Sequence, residues 1–205
     1  MNLYQVRTPD RVLHTGISRV DPELLRWFYQ DCIEDGQSNL FRTLRASPSW
    51  SLDVLSTHET LEEARAARGP VQWPELTEPL PTIYKISCRD GSVPDQYIGQ
   101  TIHFDRRRWD HFLGRDSKLY DFIRDHGGWP NWKMSVVRQY PACRDKNELD
   151  RLEWHWWNTL GGSLNSVRPG TNTHLWRGSD QEFEASVHKG LPTETFFKTL
   201  RVINL

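Results

Sequence analysis

The stretch TIYKISCRDGSVPDQYIGQT, residues 82–101, decides the fold. Its first seven residues are rich in β-formers and predict a strand. RDGSVPD is turn chemistry, and QYIGQT reads as a second strand, so 82–101 is a predicted hairpin. Gly99, two residues past Tyr97, leaves room for close backbone approach or a bulge.

Downstream of the hairpin, Asp105 is the predicted cap of a helix reaching Leu113. A second helix starts at Ser117, carries Leu119, Phe122 and Ile123 on one face, and ends at Gly127-Gly128. WKMSVVRQY reads as a third strand. A last helix opens with Asp145 and Glu148 in capping-box spacing and closes at Gly161. This β-β-α-α-β-α order is α+β, a small sheet covered by helices.

Composition fits that class. The chain has 205 residues, 37% hydrophobic and 26% charged, and no apolar run long enough to span a membrane. The N-terminus lacks a signal-peptide pattern, so the cytoplasm is the expected compartment and no membrane partner is expected. Three scattered cysteines in no CxxC pair argue against a disulfide framework and a zinc finger. Net charge is −1, but Lys/Arg against Asp/Glu runs 8 to 12 over 1–81, 10 to 7 over 82–140 and 8 to 8 over 141–205. Any polyanion would therefore be held locally around the hairpin and the helix after it.

Several side chains there carry chemistry. Arg107 and His111 are four apart and share a helix face. Three consecutive arginines, Arg106 to Arg108, read as a solvated face if taken alone, although guanidinium groups fork well onto phosphate oxygens. On a helical wheel Glu153 falls among Leu149, Leu152, Trp156 and Leu160. A carboxylate on an apolar stripe is either a buried ion pair or a ligand for a hard cation such as Mg²⁺, and the position alone favours neither. Tyr84 and Tyr97 are core aromatics by the ordinary reading, or two phenols at one end of the sheet.

Taken together, TIY (82–84), YIG (97–99), the helix with Arg107 and His111, Glu153, and Leu164-Asn165 resemble the GIY-YIG nuclease family. The resemblance implies a three-stranded antiparallel sheet flanked by helices and a metal-dependent phosphodiesterase using Mg²⁺ or Mn²⁺. By the same resemblance, Tyr84 and Tyr97 are the paired catalytic tyrosines, and Arg107 holds the scissile phosphate. Glu153 is the single metal ligand, and His111 is a polar helper in catalysis. Gly99, Arg106, Arg108, Lys118 and Asn165 complete the expected nucleic-acid contacts. Thr82 stands where the family's first glycine would be. The implied general base is Tyr84, assisted by His111 or Tyr97.

The N-terminal region parallels this plan. NLYQV (2–6) matches TIYKI, HTGIS (14–18) matches YIGQT, SNLFRTLR (38–45) matches SKLYDFIR (117–124), and WSLDVL (50–55) matches WKMSVV (132–137). ETLEEARAA (59–67) then matches the start of the Glu153 helix. Elements recurring in one order predict a second, degenerate GIY-YIG-like domain. In it His14 replaces the second tyrosine, Arg65 or a neighbour replaces the carboxylate, and cleavage is lost.

The expected organisation is a non-catalytic domain 1–69, a Pro-rich linker 70–81, a catalytic domain 82–167 and an extension 168–205. In the extension, Arg168, His174, Trp176 and Arg177 are either nucleic-acid contacts or part of a structural wrap. The expected activity is DNA endonuclease, of restriction type or phage- and defence-associated. Duplex DNA is the expected substrate, with single-stranded DNA the alternative, and the N-terminal domain is expected either to brace the catalytic unit or to mediate a homodimer. The competing class is a catalytically quiet nucleic-acid-binding module or a nuclease subunit of a larger complex.

Overall fold

Two three-stranded antiparallel sheets organise the chain, one ordered Val12–Ser18, Asn2–Arg7, Ser51–Thr57 and the other Gln96–Thr101, Thr82–Cys88, Trp132–Gln139. The computed structural model describes residues 1–68, 79–114, 117–143, 145–166 and 169. Most of the predicted linker and nearly all of the C-terminal extension, with Arg168, His174, Trp176 and Arg177, lie outside the described residues. The elements run β1 (Asn2–Arg7), β2 (Val12–Ser18), α1 (Pro22–Asp35), α2 (Asn39–Ala46), β3 (Ser51–Thr57) and α3 (Leu61–Arg68). The same order then repeats: β4 (Thr82–Cys88), β5 (Gln96–Thr101), α4 (Phe104–Leu113), α5 (Lys118–Asp125), β6 (Trp132–Gln139) and α6 (Lys146–Leu160). No described helix is long and apolar enough to cross a membrane.

Contacts group residues 1–78 with 103–113 in a first unit, and 79–102 with 114–205 in a second. Helix α4, which follows the hairpin in sequence, thus packs with the first unit.

In the first unit, Asp21 caps α1 by accepting the N–H groups of Glu23 and Leu24, with Pro22 fitting the first turn. Leu25, Phe28, Tyr29 and Cys32 then recur at helical spacing and are buried. Phe28 stacks on Phe112 of α4 with ring centroids 4.2 Å apart and meets Trp109 edge-on at 5.2 Å. Asp105 does not cap its own helix, which begins one residue earlier. Its carboxylate accepts the backbone N–H groups of Gln37 and Ser38 at the entrance to α2. The α2 N-terminus thus takes an anion from another helix, where its exposed N–H groups and dipole favour one. Leu113, the last residue of α4, is 47% exposed.

In the second unit, strand alternation sorts the two faces. Ile83 and Ile98 point to one face, where they form a core with Tyr140, Cys143, Leu149 and Leu152, flanked by Val137, Trp156, Trp157 and Leu160. Helix α6 covers this face; Asp145 caps it through the Asn147 N–H, and left-handed Gly161 (φ 75°) ends it. On the other face lie Tyr84, Ile86, Tyr97 and Gly99, as their pairing fixes. There Trp132 is fully buried and meets Phe122 of α5 edge-on at 5.9 Å.

Candidate active site

The cross-strand pairing of β4 and β5 sets Tyr84 opposite Gly99 and Ile86 opposite Tyr97, all on one face. Tyr84 is fully buried. Its ring lies across the β5 backbone at Gly99, so a Cβ there would fall inside the van der Waals radii of Tyr84 Cζ and Oη and would crowd Tyr97. Glycine is required here for close approach rather than for a turn. The two phenol rings then sit 6.2 Å apart, inclined at 34°. The Tyr-Ile-Gly spelling is therefore a packing arrangement: the glycine makes space in which one tyrosine lies beside the other.

Strand β5 is an edge strand, and the chain just after α6 covers it. Leu164 N–H donates to Gln96 C=O at 3.1 Å, and Gln96 N–H donates to Ser163 Oγ at 3.3 Å. The Asn165 amide completes this cover: its Oδ1 accepts the Ile98 N–H at 3.0 Å and its Nδ2 donates to the Ile98 carbonyl at 2.7 Å. With both ends of the amide on the backbone, Asn165 ties down the sheet edge. An amide side chain reproduces the donor-acceptor pair of a neighbouring strand, which is why this residue type suits an edge.

Glu153 lies on α6, one turn beyond Leu149, and is half-buried beside buried Leu152. Among the described residues no group of three or more His, Cys, Asp or Glu side chains could hold a metal. A single carboxylate nonetheless suits Mg²⁺, which commonly takes one or two protein carboxylates and completes its shell with water and phosphate oxygens.

Arg107 and His111 are carried by α4, in the first unit. His111 is 2% exposed, and burial first, then the Arg107 charge, lowers its pKa to about 3. It is therefore a neutral imidazole at ordinary pH. Arg106 and Lys118 are exposed and remain available to solvent-borne phosphates.

Arg108 is not available in that way. It is 3% exposed, its Nη2 donates to Asp35 Oδ1 at 2.8 Å, and its guanidinium lies 4.7 Å from the Phe104 ring centroid. Burial disfavours its charge, but the Asp35 carboxylate beside it offsets this and keeps it ionised. The expected DNA contact at Arg108 is thereby corrected to an internal ion pair. The signal was present in the sequence, since Arg108 stands four residues from both Phe104 and Phe112 and so belongs to their buried stripe.

Residues 80–165 match the family model of the GIY-YIG catalytic domain. Comparison with curated proteins and with solved structures gave no match. The GIY-YIG segment begins two residues before β4 and ends on Asn165, so it contains the tyrosine pair, Gly99, Arg107, His111 and Glu153. It is a nuclease-type fold, and nucleases of this family act on DNA.

Sequence reasoning also missed the burial of Glu148 and Cys32, in and beside the GIY-YIG segment. Glu148, read as half of a capping box, is 5% exposed next to Cys143, and burial with this carboxylate pushes the Cys143 thiol up to about 12. Cys32 lies beside Arg108, and burial drives its thiol up to about 12 as well. Both cysteines are therefore unreactive thiols at neutral pH.

Proposed function

We propose that the chain is a divalent-metal-dependent endonuclease that hydrolyses DNA phosphodiester bonds, with 80–165 as its catalytic segment. The observation that carries this reading is the Tyr84–Tyr97 pair seated over Gly99 inside the GIY-YIG match. Glu153 would hold Mg²⁺ or Mn²⁺, which supplies charge neutralisation at the phosphate when bound. Arg107 forks onto the scissile phosphate and stabilises charge on the pentacovalent phosphorus. Tyr84 takes the proton from the attacking water, with Tyr97 or neutral His111 as its helper. Duplex DNA is the proposed substrate, and a restriction-type or phage- and defence-associated role is the proposed context.

We further read β1–α3 as a degenerate copy of the same plan. Element order and strand order repeat, and hydrogen-bond register relates the positions. Tyr4 pairs with Gly16 as Tyr84 does with Gly99, and Val6 pairs with His14 as Ile86 does with Tyr97. A Cβ on Gly16 would meet Tyr4 Cζ and Oη just as one on Gly99 would meet Tyr84. Leu25 N–H bonds to Asp21 C=O as Arg107 N–H does to His103 C=O, so Leu25 replaces Arg107 and Tyr29 replaces His111. Ala64 N–H bonds to Thr60 C=O as Leu149 N–H does to Asp145 C=O. That register puts Arg68, three residues beyond the Arg65 expected from sequence, at the Glu153 position. Without the arginine and the carboxylate this copy has no means of cutting.

Incubating the chain with supercoiled plasmid and Mg²⁺ tests the nuclease reading. Nicked or linear product from the native chain and none from Glu153→Ala is the expected result. Equal cleavage by both chains would refute the assignment, and binding without cleavage would favour a quiet nucleic-acid-binding module.

A further inference from the structure

Helix α4 belongs to the GIY-YIG match in sequence but to the first unit in packing, and the contacts that fasten it there fall on one side of the helix. Asp105 accepts the backbone N–H groups of Gln37 and Ser38. Arg108 Nη2 donates to Asp35 Oδ1 at 2.8 Å. Trp109 and Phe112 pack on Phe28 with ring centroids 5.2 and 4.2 Å away. Positions 105, 108, 109 and 112 are the i, i+3, i+4, i+7 stripe of one helix face. Arg107 and His111 lie about 130° round the helix from the centre of that stripe, at roughly 100° per residue.

Stacked rings alone would let a helix slide and turn, because apolar contact is non-directional. The two carboxylates remove that freedom through directional, charge-assisted hydrogen bonds. Asp105 fixes the first turn of α4 against the entrance to α2, and Asp35, the last residue of α1, fixes the next turn through Arg108. Arg108 is almost wholly buried, so its guanidinium has little room to swing. Turning α4 by about 10° would move a side-chain tip roughly 6 Å from the helix axis by about 1 Å. A displacement of about 1 Å can cost a hundred-fold in rate where a group must meet a transition state.

We propose that the degenerate copy positions the catalytic arginine: Asp35, acting through Arg108, sets the rotation of α4 and so the aim of Arg107. Asp35 is a positioning residue, and its role rests on the nuclease reading above. A copy that has lost its own cutting residues thereby still takes part in the reaction.

Plasmid-cleavage kinetics of the full chain in Mg²⁺ test this, run well below each variant's melting temperature so that every chain compared is folded. Asp35→Asn keeps the side-chain size and removes the charge. It should lower kcat about ten-fold or more with KM little changed. Asp35→Glu restores the charge at a partly exposed position and should recover most of the rate. In an Arg107→Ala background, adding Asp35→Asn should cost nothing further, because the side chain it aims is gone. A merely structural role would subtract equally in both backgrounds. Cleavage by the native chain together with native-like kcat in Asp35→Asn, or with equal losses in the two backgrounds, would overturn this role and leave the nuclease reading standing. A native chain that cuts no DNA would overturn both.

Discussion

Arg108 and Asp35, 73 residues apart in sequence, form an ion pair with Nη2 and Oδ1 at 2.8 Å. It joins α1 to the helix that carries Arg107. The arginine is almost wholly buried while Asp35 is 36% exposed, so the pair is partly screened. Removing one partner from a buried pair costs more than the pair itself contributes, because the remaining charge is left uncompensated. Asp35→Ala should therefore lower stability by roughly 2 kcal/mol, below the fully buried range because water reaches the carboxylate. Arg108→Met, which leaves no buried charge, should cost less. Urea unfolding of both variants checks the order, and equal loss would mean that the charge is not the deciding factor.

Gly99→Ala should abolish cleavage and destabilise the chain, because the added methyl meets Tyr84 Cζ and Oη. Overpacking of this kind costs about 1–3 kcal/mol. Tyr84→Phe keeps the ring and removes only the hydroxyl, so it should retain the melting temperature and lose activity. Melting curves set beside plasmid cleavage separate the two effects. Full activity in Tyr84→Phe would remove that hydroxyl from the mechanism.

Arg107→Ala should reduce cleavage by at least about a hundred-fold if it stabilises transition-state charge. Arg106→Ala, at an exposed position one residue earlier, should act mainly through salt-dependent DNA affinity. Cleavage rates at two salt concentrations distinguish a chemical role from a general electrostatic one.

Asn165→Ala removes both hydrogen bonds to Ile98 and frees the β5 edge. The expected loss is about 1–3 kcal/mol. Hydrogen exchange at the Ile98 amide should quicken while amides of β4 stay protected. Unchanged exchange at Ile98 would show that Leu164 and Ser163 hold the edge without it.

Two histidines give the chain an acid limit. His111 and His14 have folded-state pKa values lowered to about 3 and about 4, below the 6.5 of an exposed imidazole. Between those values and 6.5 the unfolded chain binds more protons than the folded one, so stability rises with pH. The contribution is fully present above about pH 6.5 and is lost as pH falls towards 4 and then 3. Denaturant midpoints should fall across that window, and His111→Gln should flatten the slope.

The hairpin, the third strand and the apolar stripe of α6 were legible because their signals are local: alternation, turn residues and helical spacing. Asp105 looked like a helix cap because its true partners, Gln37 and Ser38, lie 68 and 67 residues earlier. Arg108 looked solvent-facing beside Arg106 and Arg107, because neighbours of one charge suggest a surface while burial is decided by a distant aspartate. Asn165 carried no local signal, since its role depends on which strand lies at the sheet edge. The recurring elements were visible as short matching words. Their exact register, down to Arg68 at the Glu153 position, emerged only from the first hydrogen bond of each helix.

Helix α4 is encoded within the GIY-YIG segment yet places Phe112, Trp109 and Arg108 against α1. On the ribosome, the N-terminal elements are therefore made well before the helix that completes their packing. Until residue 113 has emerged, Phe28 lacks the Trp109 and Phe112 rings that pack on it, and the Arg108–Asp35 ion pair has not formed. The first third of the chain must wait for its middle, so truncation or stalling between residues 79 and 103 should yield an aggregation-prone product rather than a folded domain.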